Sequence, residues 1–367
     1  MAKKRQSDSQ KMAGKTISHL DRQASRGGYR VEDEPFFAAF QGIVERNSRL
    51  IYSPNAFEYG VPEHFPIPDE LRIAVISFSM KKGLFNVYRP PENDGMASTL
   101  KQIKLSVPTS EGKRYLDQMM SEELSRLVPN SPDLVCFHEL AFPHGTRGVK
   151  RFLNRLLKKF DKKPQILAGS LHCKETWYNL AIYQAGDRIA KHPKRISATR
   201  KEERVLLPAD RRLHLYDTSL GRVGILVCLD VFDASQVLSA VRQNLAGTER
   251  EHVPILLVPA FRMTDVEKFL SACKDLSFLM GNAVVVAHSD YRSHDQHVFL
   301  GGLEAGIDRD AECEVLQVSE FTKLFTISAE AYWKNRKRAV ESIPNAVKAA
   351  FGRPLTDEVT GFGVLTR

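Results

Sequence analysis

The stretch Gly221-Arg222-Val223-Gly224-Ile225-Leu226-Val227-Cys228-Leu229-Asp230-Val231-Phe232 decides how this chain is read. Its apolar run from Val223 to Val227 has the length of a buried strand, and it delivers a thiol, Cys228, to that strand's end. There the chain has to turn, and backbone N–H groups come free of the sheet ladder. A cysteine in that position can act as a nucleophile. Free cysteine is also among the most buried residue types, so the stretch taken alone reads first as core. The surrounding sequence chooses between the two.

Working outward, strands and helices alternate. Leu71–Ile76 predicts a first strand, and 81–108 predicts a loop or insertion with Pro90-Pro91 and Asn93-Asp94-Gly95 as turn signals. Ser110–Val128 carries Leu116, Met119, Met120, Leu124 and Leu127 on one helical stripe. Strands are expected over Asp133–Phe137 and Gln165–Ala168, with a basic-faced helix over Val149–Phe160 between them. Asn179–Tyr183 and Arg188–Ala190 form a hairpin across Gly186-Asp187. After the Cys228 strand come a strand at Ile255–Pro259, a helix at Thr264–Met280 and a strand at Ala283–His288. Upstream, Pro35–Tyr52 has helical spacing and 54–68 reads as a connector; downstream, Ser328–Phe351 is a basic helical tail, expected to pack on a partner subunit or to stay solvated. The alternation, interrupted by hairpins, argues for a sheet-rich layered α/β domain. The chain divides into a basic arm (1–34), a helix and connector (35–70), the main domain (71–327) and the tail (328–367).

The composition of the 367 residues, 43% hydrophobic and 26% charged, is that of a soluble globular protein. No apolar run approaches a membrane span, and no apolar h-region follows the basic N-terminus. Five cysteines, odd in number and mostly within apolar segments, form no CxxC or Cys/His pattern, so neither a disulfide framework nor a metal site is expected, and the cytosol is the expected compartment. Net charge is +9, and residues 1–30 hold eight cations against only Asp8 and Asp21. Such an arm reads first as a solubilising tail and second as a contact for nucleic acid or an acidic protein.

Three reactive side chains follow strand-like segments. Glu139 follows Leu134–Phe137, Lys194 follows Arg188–Ala190, and Cys228 follows Ile225–Val227. Charges at the ends of buried strands are costly unless paired or functional. The set is chemically coherent: a carboxylate can take the thiol proton while an ammonium stabilises the anion. Each residue also has a plainer reading. Glu139 fits a surface ion pair, and Lys194 sits in a basic cluster with Lys191, Arg195, Arg200, Lys201 and Arg204 that would ordinarily be solvated.

In order and spacing these segments resemble the carbon–nitrogen hydrolase (nitrilase) superfamily, whose catalytic set is Glu, Lys and Cys. The resemblance rests on Leu71–Ser77, Asp133–Leu140, Ala168-Gly169-Ser170, Tyr178-Asn179, Gly186, His192–Ile196, Gly221–Phe232 and Ile255–Pro259. It implies a four-layer αββα sandwich, here with an N-terminal extension and a helical C-terminal tail. It also implies roles: Cys228 as nucleophile, Glu139 as general acid and base, and Lys194 with the backbone N–H of Leu229 as oxyanion partners. Glu202 is implied as a second carboxylate, with Glu203 its neighbouring alternative. Tyr178 and Asn179 are implied to position the substrate loop, and Asp230 to brace the turn at Cys228. The reaction implied is hydrolysis of a small amide, carbamoyl or nitrile compound without cofactor or metal, in a homodimer or larger homo-oligomer. The basic residues Arg195, Arg200, Lys201, Arg204, Arg211 and Arg212 hint at an anionic substrate. The sequence departs from the family pattern at His138, where proline is usual, at Pro208-Ala209-Asp210, which lacks a glycine, in the length of 81–108, and after Met280, where Asn282 is kept but an Arg-Ala pair is not. The competing reading is an inactive scaffold of the same fold whose basic arm recruits nucleic acid or a protein partner.

Overall fold

A computed structural model describes residues 68–88, 105–145, 148–173, 179–194, 215–232, 254–263 and 265–342. The expectations for the arm, the 35–52 helix and the connector lie outside these residues. In chain order the elements are β1 (Glu70–Ile76), β2 (Phe85–Tyr88), β3 (Leu105–Pro108), α1 (Ser110–Leu127), β4 (Leu134–Phe137), α2 (Val149–Leu157), β5 (Gln165–His172), β6 (Asn179–Ala185) and β7 (Arg188–Pro193). There follow β8 (Leu215–Thr218), β9 (Gly221–Ile225), β10 (Ile255–Phe261), α3 (Val266–Met280), β11 (Ala283–Ser289), β12 (His294–Leu300), β13 (Leu303–Glu304), β14 (Cys313–Ser319), β15 (Thr322–Ser328) and α4 (Ala329–Ser342).

The strands build two large sheets. One has the order β14-β15-β1-β4-β5-β6-β7 and the other β13-β12-β11-β10-β9-β8, while β2 and β3 pair as a separate hairpin. Side-chain alternation sorts the first sheet into two faces. Ile73, Val75, Leu134, Cys136, Leu167, Ala181 and Tyr183 join Val223, Ile225, Leu257 and Val285 in a core between the sheets. The intervening residues Ala74, Ile76, Val135, Phe137, Ile166 and Ile182 pack with Leu116, Met120, Phe152, Leu153 and Leu156 of α1 and α2. Across the second sheet, Phe269, Leu276 and Met280 of α3 and Tyr332 of α4 close the outer side. The layers therefore run helix, sheet, sheet, helix.

Local chemistry sets the element ends. The Thr109 hydroxyl accepts from Gly112 N (2.9 Å) to cap α1, and Asp265 accepts from Lys268 N (3.1 Å) to cap α3. Gly281, at φ +57, ends α3 in the left-handed region. In α2, Val149, Phe152, Leu153, Leu156 and Leu157 recur at helical spacing and are all buried. Each contributes about 1.5–3 kcal/mol of burial energy.

Three expectations change. The 81–108 segment is not all loop, because Phe85–Tyr88 and Leu105–Pro108 pair antiparallel. The helix expected over Val149–Phe160 ends at Leu157, and the chain turns at Lys158-Lys159 while Phe160 still packs into the same apolar cluster. Over Ala329–Ser342 the C-terminal helix is not simply a solvated tail, because one of its faces packs on the domain itself. Ala331, Tyr332, Asn335 and Ala339 are buried, Tyr332 Oη donates to Pro254 O (3.2 Å), and Arg336 and Arg338 donate to Met280 O and Gly301 O. Met280 O and Gly301 O lie at the ends of α3 and β12, and Arg336 and Arg338 satisfy them. Among the described residues no helix is long and apolar enough to cross a membrane.

Candidate active site

The site lies where the parallel strands of both sheets end. β1, β4 and β5 are parallel; β6 reverses, so β7 again runs with β5. In the other sheet β9, β10 and β11 are parallel. The ends of the two sheets meet: Ser289 Oγ donates to Phe78 O (2.7 Å) and Met80 N donates to Asp290 O (2.9 Å). Residues that follow β4, β7 and β9 are thereby brought to one rim, where ladder bonding stops.

Glu139 and Lys194 meet on that rim. Lys194 Nζ lies 2.8 Å from Glu139 Oε1, with the two side chains only 1% and 4% exposed. The same oxygen accepts from Asn179 Nδ2 at 2.7 Å. Asn179 opens β6, and its carbonyl also accepts from Lys194 N (2.8 Å), so one residue holds both members of the pair. Buried charges at this exposure need such partners, since removing one partner of a buried pair costs about 3–5 kcal/mol.

The chain around Glu139 is held by a bulge in β5. Pairing of β5 with β6 shifts between Leu167 and Ser170, and Gly169 sits there at φ +76. The bulge aims Ser170 at the turn after Glu139: its Oγ accepts from Leu140 N (3.1 Å) and its carbonyl from Phe142 N (3.2 Å). Leu140 itself takes φ +62. A Cβ at Gly169 would stand 2.3 Å from the carbonyl oxygen of His138, so the strand carrying Glu139 can approach only a glycine. His138, fully buried, has Nδ1 2.7 Å from Glu139 O, to which it donates, and its ring meets Phe78 edge-on with centroids 4.5 Å apart. Burial lowers its pKa to about 3, so the imidazole is neutral.

Cys228 stands at a backbone elbow. Leu226 N still donates to Leu257 O (3.0 Å), the last ladder bond, and Cys228 then takes φ +54 and opens a 3-10 turn to Phe232. For a residue with a Cβ this region is strained, and the surroundings must hold it. Asp230 contributes: its Oδ2 accepts from Val227 N (3.2 Å) and its own N–H donates to Val227 O (3.1 Å). Cys228 Sγ lies 3.2 Å from Met263 Sδ and 4.0 Å from Phe261 O, at the end of β10.

No protein-family model and no curated protein matches this sequence. Solved structures do. A carbon–nitrogen hydrolase from Helicobacter pylori is similar over 74% of this chain and 93% of its own, with a TM-score of 0.50 at 14% identity. The chain has the carbon–nitrogen hydrolase (nitrilase) fold. Other similar structures are a CN-hydrolase superfamily protein from Xanthomonas campestris with an arsenic adduct in its active site (TM-score 0.49, 13% identity, 73% of this chain and 94% of that one) and Nit3 of Saccharomyces cerevisiae (TM-score 0.49, 15% identity, 74% and 94%).

On this nitrilase fold the residues named from sequence divide into two groups. Glu139, Lys194 and Asn179 are in direct contact, and Cys228 shares their rim with half-buried Leu229 following it. Tyr178, Glu202 and Glu203 lie outside the described residues, as do Arg195–Arg212. Sequence reasoning quoted Ser170 in the Ala168-Gly169-Ser170 motif without giving it a role, and it missed Met263. A Gly-Ser pair at a strand end was a visible cue for the first, whereas Met263 is near Cys228 only because β10 lies beside β9.

Proposed function

We propose that this protein hydrolyses a non-peptide carbon–nitrogen bond, in an amide, carbamoyl or nitrile group of a small molecule, through a thioester on Cys228. The observation that supports it most directly is the buried Glu139–Lys194 pair, braced by Asn179, on the rim that also presents Cys228 at φ +54. For an amide, Glu139 takes the thiol proton as Cys228 Sγ bonds to the carbonyl carbon. Lys194 and the backbone N–H of Leu229 stabilise the oxyanion. The C–N bond then breaks as Glu139 returns the proton to the leaving nitrogen. A water gives its proton to Glu139 and attacks the thioester; the carboxylic acid leaves and the thiol is restored. In this reading Glu202 acts as the second carboxylate, Tyr178 positions the substrate, and the basic residues after Lys194 make an anionic substrate the first class to screen.

The test is a screen of small amides, carbamoyl compounds and nitriles by ammonia release, followed by variants. Glu139→Gln keeps the side chain's size and is expected to lower kcat/KM by about 100- to 10,000-fold. It also removes the carboxylate from the buried pair with Lys194, so the melting temperature is expected to fall, and turnover is compared at a temperature where the variant remains folded. Cys228→Ala is expected to abolish turnover. Full activity in both variants would remove the hydrolase reading and leave the fold as a scaffold.

A further inference from the structure

The sixteen residues 148–163 carry seven cations and a single acid, Asp161, an excess unmatched elsewhere among the described segments. All seven, Lys150, Arg151, Arg155, Lys158, Lys159, Lys162 and Lys163, are exposed, on α2 and the turn that follows it. Three of them are engaged. Arg155 pairs with Asp117 (2.7 Å) and lies over the Phe152 ring, Lys162 pairs with Asp133 (2.7 Å), and Lys159 donates to Ser125 Oγ (2.9 Å). Lys150, Arg151, Lys158 and Lys163 have no ion-pair partner among the described residues.

Helix stability does not call for this density. Cations at a helix C-terminus complement the dipole, which accounts for Arg155 in the last turn and Lys158 at the C-cap, but Lys150 and Arg151 stand in the first turn, where the dipole disfavours positive charge. Repulsion among neighbours adds to that cost. A face that keeps such charges unpaired is suited to an anion outside the molecule.

We propose that the exposed face of α2 and the 158–163 turn is a docking surface for the phosphate backbone of duplex nucleic acid. Two observations choose a polyanion over other acidic surfaces. The apolar side of α2 is committed to the core, with Phe152, Leu153, Leu156 and Leu157 all buried, so the helix has nothing to insert into a bilayer. The large exposed apolar residues among those described, Val87, Ile307, Val315 and Leu316, lie on other elements, so the face lacks the apolar anchor of a protein–protein hot spot. Charge without anchor is what counterion release on phosphates uses. The face carries no exposed aromatic for base stacking, so the surface reads the backbone and not the sequence.

The full chain is titrated onto a fluorescently labelled 24-base-pair DNA duplex of mixed sequence, by anisotropy, across a series of NaCl concentrations. Affinity is expected to fall steeply with salt. Lys150→Gln/Arg151→Gln/Lys158→Gln/Lys163→Gln is expected to reduce the log–log salt slope by about 3–4, near 0.9 per lost phosphate contact, and to weaken low-salt binding at least about tenfold. The melting temperature is expected to hold, because the replaced groups are exposed and unpaired. Lys150→Gln/Arg151→Gln alone should lower the slope by about 2. An unchanged slope in these variants, with binding lost only when Lys3, Lys4, Arg5 and Lys11 are replaced, would overturn the proposal by assigning the effect to the N-terminal arm. Stronger competition by phosphatidylserine vesicles or polyglutamate than by unlabelled duplex at equal charge would overturn it as well.

Discussion

Gly169 shows how far one residue's conformation reaches into the site. It combines φ +76 with a backbone carbonyl 2.3 Å from where a Cβ would stand, and that carbonyl belongs to His138, next to Glu139. Backbone cannot swing aside as a long side chain can, so Gly169→Ala has to push β4 and β5 apart at the bulge. The expected cost is about 1–3 kcal/mol in urea unfolding, with a loss of hydrolase activity larger than the unfolded fraction explains, because Glu139 is displaced. Wild-type stability in this variant would show that the strand ends are looser than the packing implies. At this scale the sequence was informative about identity and poor about contact. Glu139, Lys194 and Cys228 were visible as strand-end residues, and Asn179 as a polar residue beginning a strand. That Asn179 Nδ2 and Lys194 Nζ share one carboxylate oxygen depends on β6 and β7 pairing as a hairpin beside β5, which no local pattern encodes.

At the scale of elements, α3 carries a group that resists its surroundings. Asp275 is partly buried on this helix, and its Oδ2 has no hydrogen-bond partner among the described residues. Burial raises its pKa to about 7, with Lys274 opposing weakly. The folded state therefore holds the proton more tightly than the unfolded chain, whose carboxyl titrates near 3.9. The stability of the protonated form is fully present below about pH 3.9 and is lost as pH rises towards 7. Asp275→Asn is expected to remove that decline and to stabilise the protein at pH 8 by at least about 1 kcal/mol, a figure reduced for the solvent that still reaches the group. Denaturant melts at pH 5 and pH 8 give the answer; an Asn variant that gains nothing at pH 8 would contradict it. The elements themselves were legible where periodicity was long, as in α1, α2 and α3. They were hidden where pairing partners are remote: β15 lies antiparallel to β1, Glu70 facing Ser328, and β14 joins the sheet only through its pairing with β15. The short β2–β3 hairpin was masked by the turn residues that separate its strands in sequence.

For the whole molecule, alternating strands and helices pointed to a layered α/β domain, and the two sheets with helices outside each are what the chain builds. The reason is the same on every central strand: residues such as Ile73 and Ala74 send successive side chains to opposite layers, and both layers are apolar. The C-terminal helix escaped this reading, since its basic residues look solvated in sequence while Arg336 and Arg338 spend their charge on carbonyls that end α3 and β12. Charge is likewise organised at this scale, in an N-terminal arm and on α2, far from even. The two-sheet arrangement also underlies the central claim, because it brings the ends of β4, β7 and β9 to one rim, where the proposed nucleophile Cys228 and the buried Glu139–Lys194 pair both stand. Peptide-mapped labelling with an electrophilic nitrile or amide probe, timed by mass spectrometry, tests that claim most directly. Cys228 is expected to label at least about tenfold faster than the more exposed Cys313, and Glu139→Gln is expected to slow Cys228 alone. Labelling of Cys228 no faster than Cys313, unchanged by Glu139→Gln, would contradict the account.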